Sequence, residues 1–239
     1  MIDIIKAEFQ KSKRTSTNKF IIVTPLLTFL LCLLWGGGQN GAYNWWYVMF
    51  LPGMLAIISA QVITREKNLS YKGLFLYPQD KGSIWLGKII YISILLIFAS
   101  LIFMIGTIGV GLIDKSTIPL KANILATIIL ILTSLFQIPI SLFLTVRLNM
   151  FVTIFFNIAM TMIGVLSFET STILKFSPYG TMSALMCPVL HILPNGLPVP
   201  NNSPLLNGDM IVKDTLISVV IFIVLTILTT IWFRKKEVN

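Results

Sequence analysis

Long apolar stretches alternate with short polar segments along the whole chain. Six of the stretches contain no Asp, Glu, Lys or Arg, and none alternates apolar and polar residues as barrel strands do. A helix needs about 20 mostly apolar residues to cross the hydrocarbon core of a bilayer, where it satisfies its own backbone groups. The pattern therefore predicts an all-α polytopic membrane protein. The six predicted transmembrane helices cover residues 20–38, 45–63, 89–113, 122–146, 150–168 and 215–233.

Composition separates the chain from soluble proteins. Hydrophobic residues make up 56% of its 239 residues and charged residues 11%, and the mean hydropathy is +0.88. A soluble domain carries roughly a quarter charged residues, so this chain has too few to cover a surface in water. The first apolar stretch follows a basic leader, as in a signal peptide, but no small-residue cleavage site follows it. We therefore interpret it as a retained helix of a single transmembrane domain, 1–239.

The positions of the basic residues predict the orientation. With the N-terminus inside, six crossings place 14 of the 18 Lys and Arg residues on the inner face, and 5 of the 9 acidic residues. Lys and Arg favour cytoplasmic loops, so both termini are predicted to be cytoplasmic. The net charge of +9 then reflects topology and attraction to anionic lipid, and no nucleic-acid partner is expected. The four outer cations are Lys115, Lys121, Lys175 and Lys213.

The basic leader, 1–19, is predicted to be an interfacial helix. Ile2, Ile5 and Phe9 fall on one helical face, and basic side chains on the rest of the helix reach water or lipid phosphate. The alternative is a frayed basic leader. These basic side chains are Lys6, Lys13 and Arg14.

Two connecting segments have unusual compositions. The predicted cytoplasmic loop 64–88 mixes charged with apolar residues, which predicts a short helix that docks on another protein or, alternatively, lies on the inner leaflet. The outer segment 169–213 holds six of the 11 prolines, and its apolar part, 182–193, contains Pro188 and is too short to span. We expect a re-entrant or interfacial element there.

No pattern of residues indicates an enzyme, a metal site or a bound cofactor. Residues 82–88 nearly match a phosphate-binding loop, but Ile89 stands where the motif needs a hydroxyl, and the segment enters a membrane span. We interpret Trp85 and Lys88 as an anchor at the inner membrane interface, and expect any ATP to be bound by a partner. His191 is the single histidine, and no metal-ligand cluster surrounds it. Cys32 and Cys187 both lie toward the outer side, as free thiols or as a disulfide.

A stripe of polar residues runs along the fourth predicted span. At 100° per residue its members fall on one helical face, and Pro139 among them is expected to bend the helix. The stripe either lines a substrate path or forms hydrogen bonds between helices. The candidate path residues are Ser134, Gln137, Ser141 and Thr145, with Asn157 on the fifth span.

Several strings along nearly the whole chain resemble one family of transporter subunits. The chain is similar to E-type permease subunits of lantibiotic-immunity ABC transporters, which belong to the wider ABC-2 class. The sister G-type permease has a similar layout. The strings are IKAEF at 5–9, GAYNWWY at 41–47, LPGM at 51–54, ITREK at 63–67, IWLGKI at 84–89, QIP at 137–139, MCP at 186–188, LPNGLPVP at 193–200 and NSPLL at 202–206.

The resemblance implies a function and a set of partners. Such a permease works with a second, G-type permease, two ATPase subunits and the membrane lipids, and clears a lantibiotic peptide from the plasma membrane of a Gram-positive bacterium. ATP is bound by the partner, so the chain itself has no cofactor and is not an enzyme. The alternatives are an ABC-2 permease for another amphipathic substrate, such as a drug or lipid-like molecule, and a non-transporting immunity or sensor protein.

The resemblance also implies where the ATPase docks. The segment 66–76 would form the coupling helix, and the outer Pro-rich segment would cap the exit. Glu66 is an acidic residue in a strongly basic inner face, so we expect it to pair with a leader cation such as Arg14. The candidate coupling residues are Glu66, Lys67, Tyr71, Leu74 and Phe75.

Overall fold

A computed structural model describes six ranges of the chain: 1–13, 15–68, 80–113, 118–166, 177–200 and 203–236. The regular structure in these ranges is helical, and the one β-bridge, between Ile192 and Pro198, is isolated. The prediction of an all-α fold is therefore confirmed. The α-helices are α1 (Ile2–Ser12), α2 (Thr17–Trp35), α3 (Gly38–Trp45), α4 (Leu51–Asn68), α5 (Lys81–Ile113), α6 (Leu120–Ser134), α7 (Gln137–Arg147), α8 (Met150–Leu166), α9 (Pro178–Leu190) and α10 (Asp209–Arg234).

Within the described ranges, five helical stretches are long and apolar enough to cross a membrane. Helix α8 is apolar but has 17 residues, and its predicted end at residue 168 lies outside the described residues. A multi-pass membrane protein is therefore supported, while the count of six spans stays a prediction. The five stretches are Thr17–Trp35, Gly38–Lys67, Lys81–Ile113, Leu120–Arg147 and Asp209–Arg234.

Two prolines interrupt the long helices. A single turn of π-helix, Trp46–Phe50, which we call the π-turn, joins α3 to α4. It lies just before Pro52, because proline has no N–H to donate to the carbonyl four residues earlier. The predicted fourth span divides into α6 and α7 just before Pro139, where the Ile138 N–H donates to the Leu135 carbonyl at 3.0 Å. The stretch predicted as one bent helix is therefore two helical segments.

The ends of the helices meet in two groups. At one end, which we call the charged end, α1 and the end of α4 contact the start of α5. Arg234 at the end of α10 pairs with Asp80 at 3.0 Å, and Lys81 donates to the Lys236 carbonyl at 2.8 Å. The end of α4, the start of α5 and the end of α10 therefore lie at one end of the bundle, while the alternation of six spans and the cytoplasmic location of the charged end stay predictions.

The opposite end is joined through side chains of α3 and the π-turn. Asn44 donates to the Pro194 carbonyl at 2.6 Å, and Tyr47 donates to the Leu193 carbonyl at 3.2 Å. These bonds fix the Pro-rich segment that follows α9. Cys32 and Cys187, for which the sequence left a disulfide open, are both buried and are not joined by a disulfide.

The apolar part of the Pro-rich segment lies inside the bundle. Helix α9 contains Pro188, buries Met182 and Met186, and packs against α6, α8 and α10. Gly164 and Gly180 let α8 and α9 approach closely, since a Cβ atom on Gly164 would lie 2.6 Å from the Gly180 nitrogen. This position favours the re-entrant alternative over a helix on the membrane surface.

The leader helix packs on the bundle through a face that the sequence did not single out, and its location at the membrane interface stays a prediction. Ile2 is 69% exposed, whereas Ile4, Glu8 and Ser12 form the buried face of α1. The physical reason lies on α5: Ile4 packs against Gly87, and Glu8 finds an ionic partner in Lys88. Phe9 is partly buried and meets the Tyr91 ring edge-on at 4.8 Å.

Candidate coupling site at the charged end

Five ionisable side chains meet where α1, the end of α4 and the start of α5 converge. Their spacing on the helices brings them together. Glu8 and Lys11 are one turn apart on α1, and Arg65 and Glu66 lie in the last turn of α4. We call this group the ion-pair cluster. Its members are Glu8, Lys11, Arg65, Glu66 and Lys88.

Lys88 lies at the centre of the ion-pair cluster. Its side chain is 0% exposed, and its Nζ atom lies 3.0 Å from Oε1 of Glu8 and 2.5 Å from Oε1 of Glu66. A lysine is almost never fully buried unless it is paired, and an unpaired buried charge costs several kcal/mol. The two carboxylates therefore determine whether Lys88 can stay inside the protein as a charge.

Lys11 bridges the same two carboxylates from the water side. Its Nζ atom lies 2.9 Å from Oε1 of Glu8 and 3.0 Å from Oε1 of Glu66, and its side chain is 44% exposed. Each of these oxygen atoms therefore accepts from two ammonium groups. Through them, α1, α4 and α5 are held by one continuous set of charge-assisted hydrogen bonds.

Arg65 completes the ion-pair cluster. One of its terminal nitrogens donates to Oε2 of Glu8 at 3.4 Å and the other to Oγ of Ser12 at 3.0 Å. Nε of Arg65 and Oε2 of Glu66 are buried and have no hydrogen-bond partner among the described residues. With three cations and two carboxylates, the ion-pair cluster carries one positive charge in excess.

The two members on α1 are stabilised in their charged forms. Burial acts to raise the pKa of Glu8, but attraction to Lys88 and Lys11 outweighs it, so the pKa lies below its ordinary value. Burial acts to lower the pKa of Lys11, but Glu66 and Glu8 outweigh it and raise that pKa. The contacts of α1 therefore remain ionic at neutral pH.

A glycine permits the close approach of α1 to α5. A Cβ atom on Gly87 would lie 2.4 Å from Cγ2 of Ile4, which is closer than two carbon atoms approach without contact repulsion. The glycine directly precedes Lys88, so the closest approach of the two helices coincides with the ion pair. Tyr91, one turn further along α5, donates to Oδ1 of Asn18 at 3.2 Å and extends the contact to α2.

The structure places only part of the predicted coupling segment. Glu66 lies in the ion-pair cluster, and Lys67 is exposed at the end of α4. Glu66 does pair with a leader cation, which is Lys11. The other residues of that hypothesis, Tyr71, Leu74, Phe75 and Arg14, lie outside the described residues, so their roles stay predictions.

Sequence reasoning missed Glu8 and misread the segment around Lys88. Lys88 is no interfacial anchor, because it is fully buried in ion pairs. Trp85 is buried as well: it donates to Oγ1 of Thr229 at 3.1 Å and stacks on Phe233 at 4.5 Å. The sequence feature that could have indicated a buried ion pair was Lys88, which follows Gly87 near the start of a long apolar helix, together with the acid Glu8 in the leader.

The candidate path residues of α7 and α8 contact one another. Asn157 donates to Oγ of Ser141 at 3.0 Å, and Oγ1 of Thr145 lies 2.9 Å from Oγ1 of Thr153. The amide oxygen of Asn157 accepts from the Tyr179 hydroxyl at 3.1 Å. A ladder of polar side chains therefore joins α7, α8 and α9.

The other two path candidates are buried nearby. Ser134 donates to the Ile131 carbonyl of its own helix at 3.1 Å, and Gln137 donates to Sδ of Met182 at 3.6 Å. Oε1 of Gln137 is buried without a partner among the described residues. The Gln137 contact is part of the helix–helix packing that the sequence left as an alternative, whereas the Ser134 bond stays within α6. A substrate-path role stays a prediction.

Comparison with known proteins gives one match. A family model described as "ABC-2 family transporter protein" matches residues 4–168, which include the ion-pair cluster and the path candidates. None of the curated proteins or solved structures compared with the chain matches it. An ABC-2 permease is a membrane component that works with an ATPase partner. Since the match covers more than half of an all-helical, apolar chain, this protein belongs to the ABC-2 family of transporters, as a membrane-spanning permease.

Proposed function

We propose that the chain is the permease subunit of an ABC transporter that removes a lantibiotic, a membrane-active antimicrobial peptide, from the membrane of the cell that carries it. The assignment as a transporter subunit rests on the family. The assignment of a lantibiotic as the substrate rests on the resemblance to immunity permeases. The partners in this proposal are an ATPase dimer and a second, G-type permease. The setting is the plasma membrane of a Gram-positive bacterium.

The distribution of charge inside the bundle carries the proposal. In the described parts of the spans, the Asp, Glu, Lys and Arg side chains lie toward the helix ends, with none at mid-span. Ion and proton pathways use ionisable residues inside the membrane. A substrate that is drawn from lipid needs no such residues, so this arrangement favours an amphipathic molecule over a conducted ion.

The ion-pair cluster supplies a mechanism for coupling. In the proposal the ATPase contacts the segment that follows α4, and its movement is transmitted to the end of α4. Glu66 links that end to Lys88 on α5 and Lys11 on α1. Movement of α4 therefore displaces the start of a 33-residue helix, α5, which crosses the bundle.

Tolerance of a sensitive Gram-positive host to a panel of lantibiotics tests the proposal. The host carries this gene with the neighbouring ATPase and second permease genes. One strain has an active ATPase, and a matched strain has an inactivated ATPase. We expect raised tolerance to one or a few peptides that disappears when the ATPase is inactive. Tolerance that survives in the matched strain would indicate passive sequestration, and no tolerance to any peptide would indicate an ABC-2 exporter of another amphipathic substrate.

A further inference from the structure

Helix α3 lies at the end of the bundle opposite the charged end, between two irregular joints. Before it, three successive glycines have positive φ angles, of 79° at Gly36, 103° at Gly37 and 52° at Gly38, a conformation that other residues rarely adopt. After it, the π-turn interrupts the regular helix, and single turns of π-helix recur at functional sites. We propose that α3 is a movable gate, which swings about these two joints to open and close this end of the transporter.

Neutral hydrogen bonds hold α3 against α5 and α6, and we call them the α3 latch. The side chain of Gln39 donates to the Thr107 carbonyl at 3.0 Å and accepts from the Ile118 N–H at 3.0 Å. The Tyr43 hydroxyl donates to the side-chain oxygen of Asn123, which also accepts from the Thr107 hydroxyl at 3.1 Å. These four side chains are buried. Hydrogen bonds of this kind exchange with water at a small net free energy, so the α3 latch can open and close again.

A movement of α3 would carry the Pro-rich segment with it. Asn44 on α3 donates to the Pro194 carbonyl at 2.6 Å, and Tyr47 in the π-turn donates to the Leu193 carbonyl at 3.2 Å. The turn of that segment lies directly on α3, since a Cβ atom on Gly196 would lie 3.3 Å from Cγ of Asn44. One helix therefore joins the start of α6, the end of α5 and the segment that we expect to cap the exit. Taking this end as the exit rests on the proposed function.

A cavity of about 270 Å³ beside the first turn of α3 gives the helix room to move. The end of α2, two of the glycines and the end of α5 form its wall, through Cys32, Leu33, Gly36, Gly38, Val110 and Ile113. Helix α3 covers the thiol of Cys32, since a Cβ atom on Gly41 would lie 3.8 Å from its Sγ atom. Cys32 is only 5% exposed in this position of α3, so its thiol becomes accessible when α3 swings away from α2.

A reversible cross-link between α3 and α2 tests the gate in the whole transporter. Gly41→Cys places a second thiol beside Cys32, and Gly41→Ser is the matched control, because it has nearly the same size and cannot form a disulfide. ATP hydrolysis by the complex in lipid nanodiscs is measured before oxidation, after oxidation and after reduction, and the loss of free thiols confirms the disulfide. We expect hydrolysis in Gly41→Cys to fall at least about fivefold on oxidation and to recover on reduction, because conformational steps limit the turnover of many enzymes. Gly41→Ser should respond to neither treatment. No peptide is added, so this test can fail independently of the proposed substrate.

The reactivity of Cys32 toward N-ethylmaleimide, followed by peptide mass spectrometry of the purified chain, tests the α3 latch itself. Tyr43→Phe removes the hydroxyl that bonds to Asn123 and keeps the ring, which meets Phe103 edge-on at 5.1 Å. Tyr91→Phe is the matched control, since it removes a hydroxyl that bonds to Asn18 far from α3, at the start of α2. We expect Cys32 to react about fivefold faster in Tyr43→Phe, the value of one hydrogen bond, and at the wild-type rate in Tyr91→Phe.

Two results would overturn the proposal. One is a disulfide in Gly41→Cys that forms completely and leaves the rate of ATP hydrolysis unchanged, because α3 then does not move relative to α2 during the cycle. The other is equal reactivity of Cys32 in Tyr43→Phe and Tyr91→Phe, because the α3 latch then does not control the position of α3.

Discussion

The Nζ atom of Lys88 lies 2.5 Å from Oε1 of Glu66, and this buried ion pair joins the start of α5 to the end of α4. Neither residue can be removed alone without leaving a charge in a place from which water is excluded. The same ammonium group also lies 3.0 Å from Glu8 on α1. One side chain therefore holds three helices together at the end of the bundle that we assign to the ATPase.

Lys88→Gln should destabilise the protein strongly. The substitution leaves Glu8 and Glu66 buried beside each other with only Lys11 and Arg65 as partners, and breaking a buried ion pair costs about 3–5 kcal/mol. The midpoint of thermal unfolding in detergent checks this. Lys6→Gln, which removes an exposed charge from the same region, should change stability by no more than about 0.5 kcal/mol. Equal midpoints for the two variants would contradict the central position of Lys88.

Gly87→Ala should loosen α1 from α5. The added methyl group would lie 2.4 Å from Cγ2 of Ile4, and overpacking of this kind costs about 1–3 kcal/mol. Trypsin cleavage after Lys11 and Lys13, which speeds up when α1 detaches, measures the effect. Gly109→Ala on the same helix is the control, since nothing lies within 4 Å of its added Cβ atom. Similar cleavage rates for both variants would be evidence against the docked position of α1.

The contribution of Glu8 to stability should depend on pH in one direction. Its pKa in the folded protein lies below the ordinary value of 4.5, so the stabilisation is fully present above that value and is lost as the pH falls through the folded-state pKa. Unfolding midpoints of the wild type and Glu8→Gln, measured across the acid range, test this. Their difference should shrink as the pH falls. A difference that stays constant into strong acid would show that the charge of Glu8 is not what stabilises α1.

The contribution of Lys11 to stability should be lost only at alkaline pH. Glu66 and Glu8 raise its pKa above the ordinary value of 10.5, so its contribution is full below 10.5 and is lost as the pH rises through the higher folded-state value. The midpoint difference between the wild type and Lys11→Met should therefore persist through the neutral range. It should decline only in strong alkali, and a decline near neutral pH would contradict the ionic contact.

The hydroxyl pair between α7 and α8 tests the packing interpretation of the polar stripe. Thr145→Val and Thr153→Val keep the shape of the side chains and remove a contact of 2.9 Å. A double-mutant cycle on the free energy of unfolding should give a coupling of about 0.6 kcal/mol, the average for hydrogen bonds between membrane helices. Thr161→Val is the control, because Thr161 donates to its own helix at Asn157. A coupling of zero combined with a changed substrate range would favour the substrate path.

The sequence predicted the parts of the fold that local patterns determine. Long apolar stretches predicted the five helical stretches that can cross a membrane, and Pro139 predicted a bend close to the break between α6 and α7, because both effects act within a few residues. The ion-pair cluster joins residues that are far apart in the chain, since Lys88 lies 80 residues from Glu8. No local pattern reveals such a partner, so Glu8 was passed over.

The most direct test of the coupling account uses the whole transporter in lipid vesicles. Peptide-stimulated ATP hydrolysis is measured for the complex with wild-type permease, with Glu66→Gln and with Lys6→Gln as the control for an altered charge. We expect Glu66→Gln to lose most of the stimulation, and the host carrying it to lose tolerance to the same peptide, while Lys6→Gln retains both. Stimulation and tolerance that are unchanged in Glu66→Gln would contradict coupling through the ion-pair cluster.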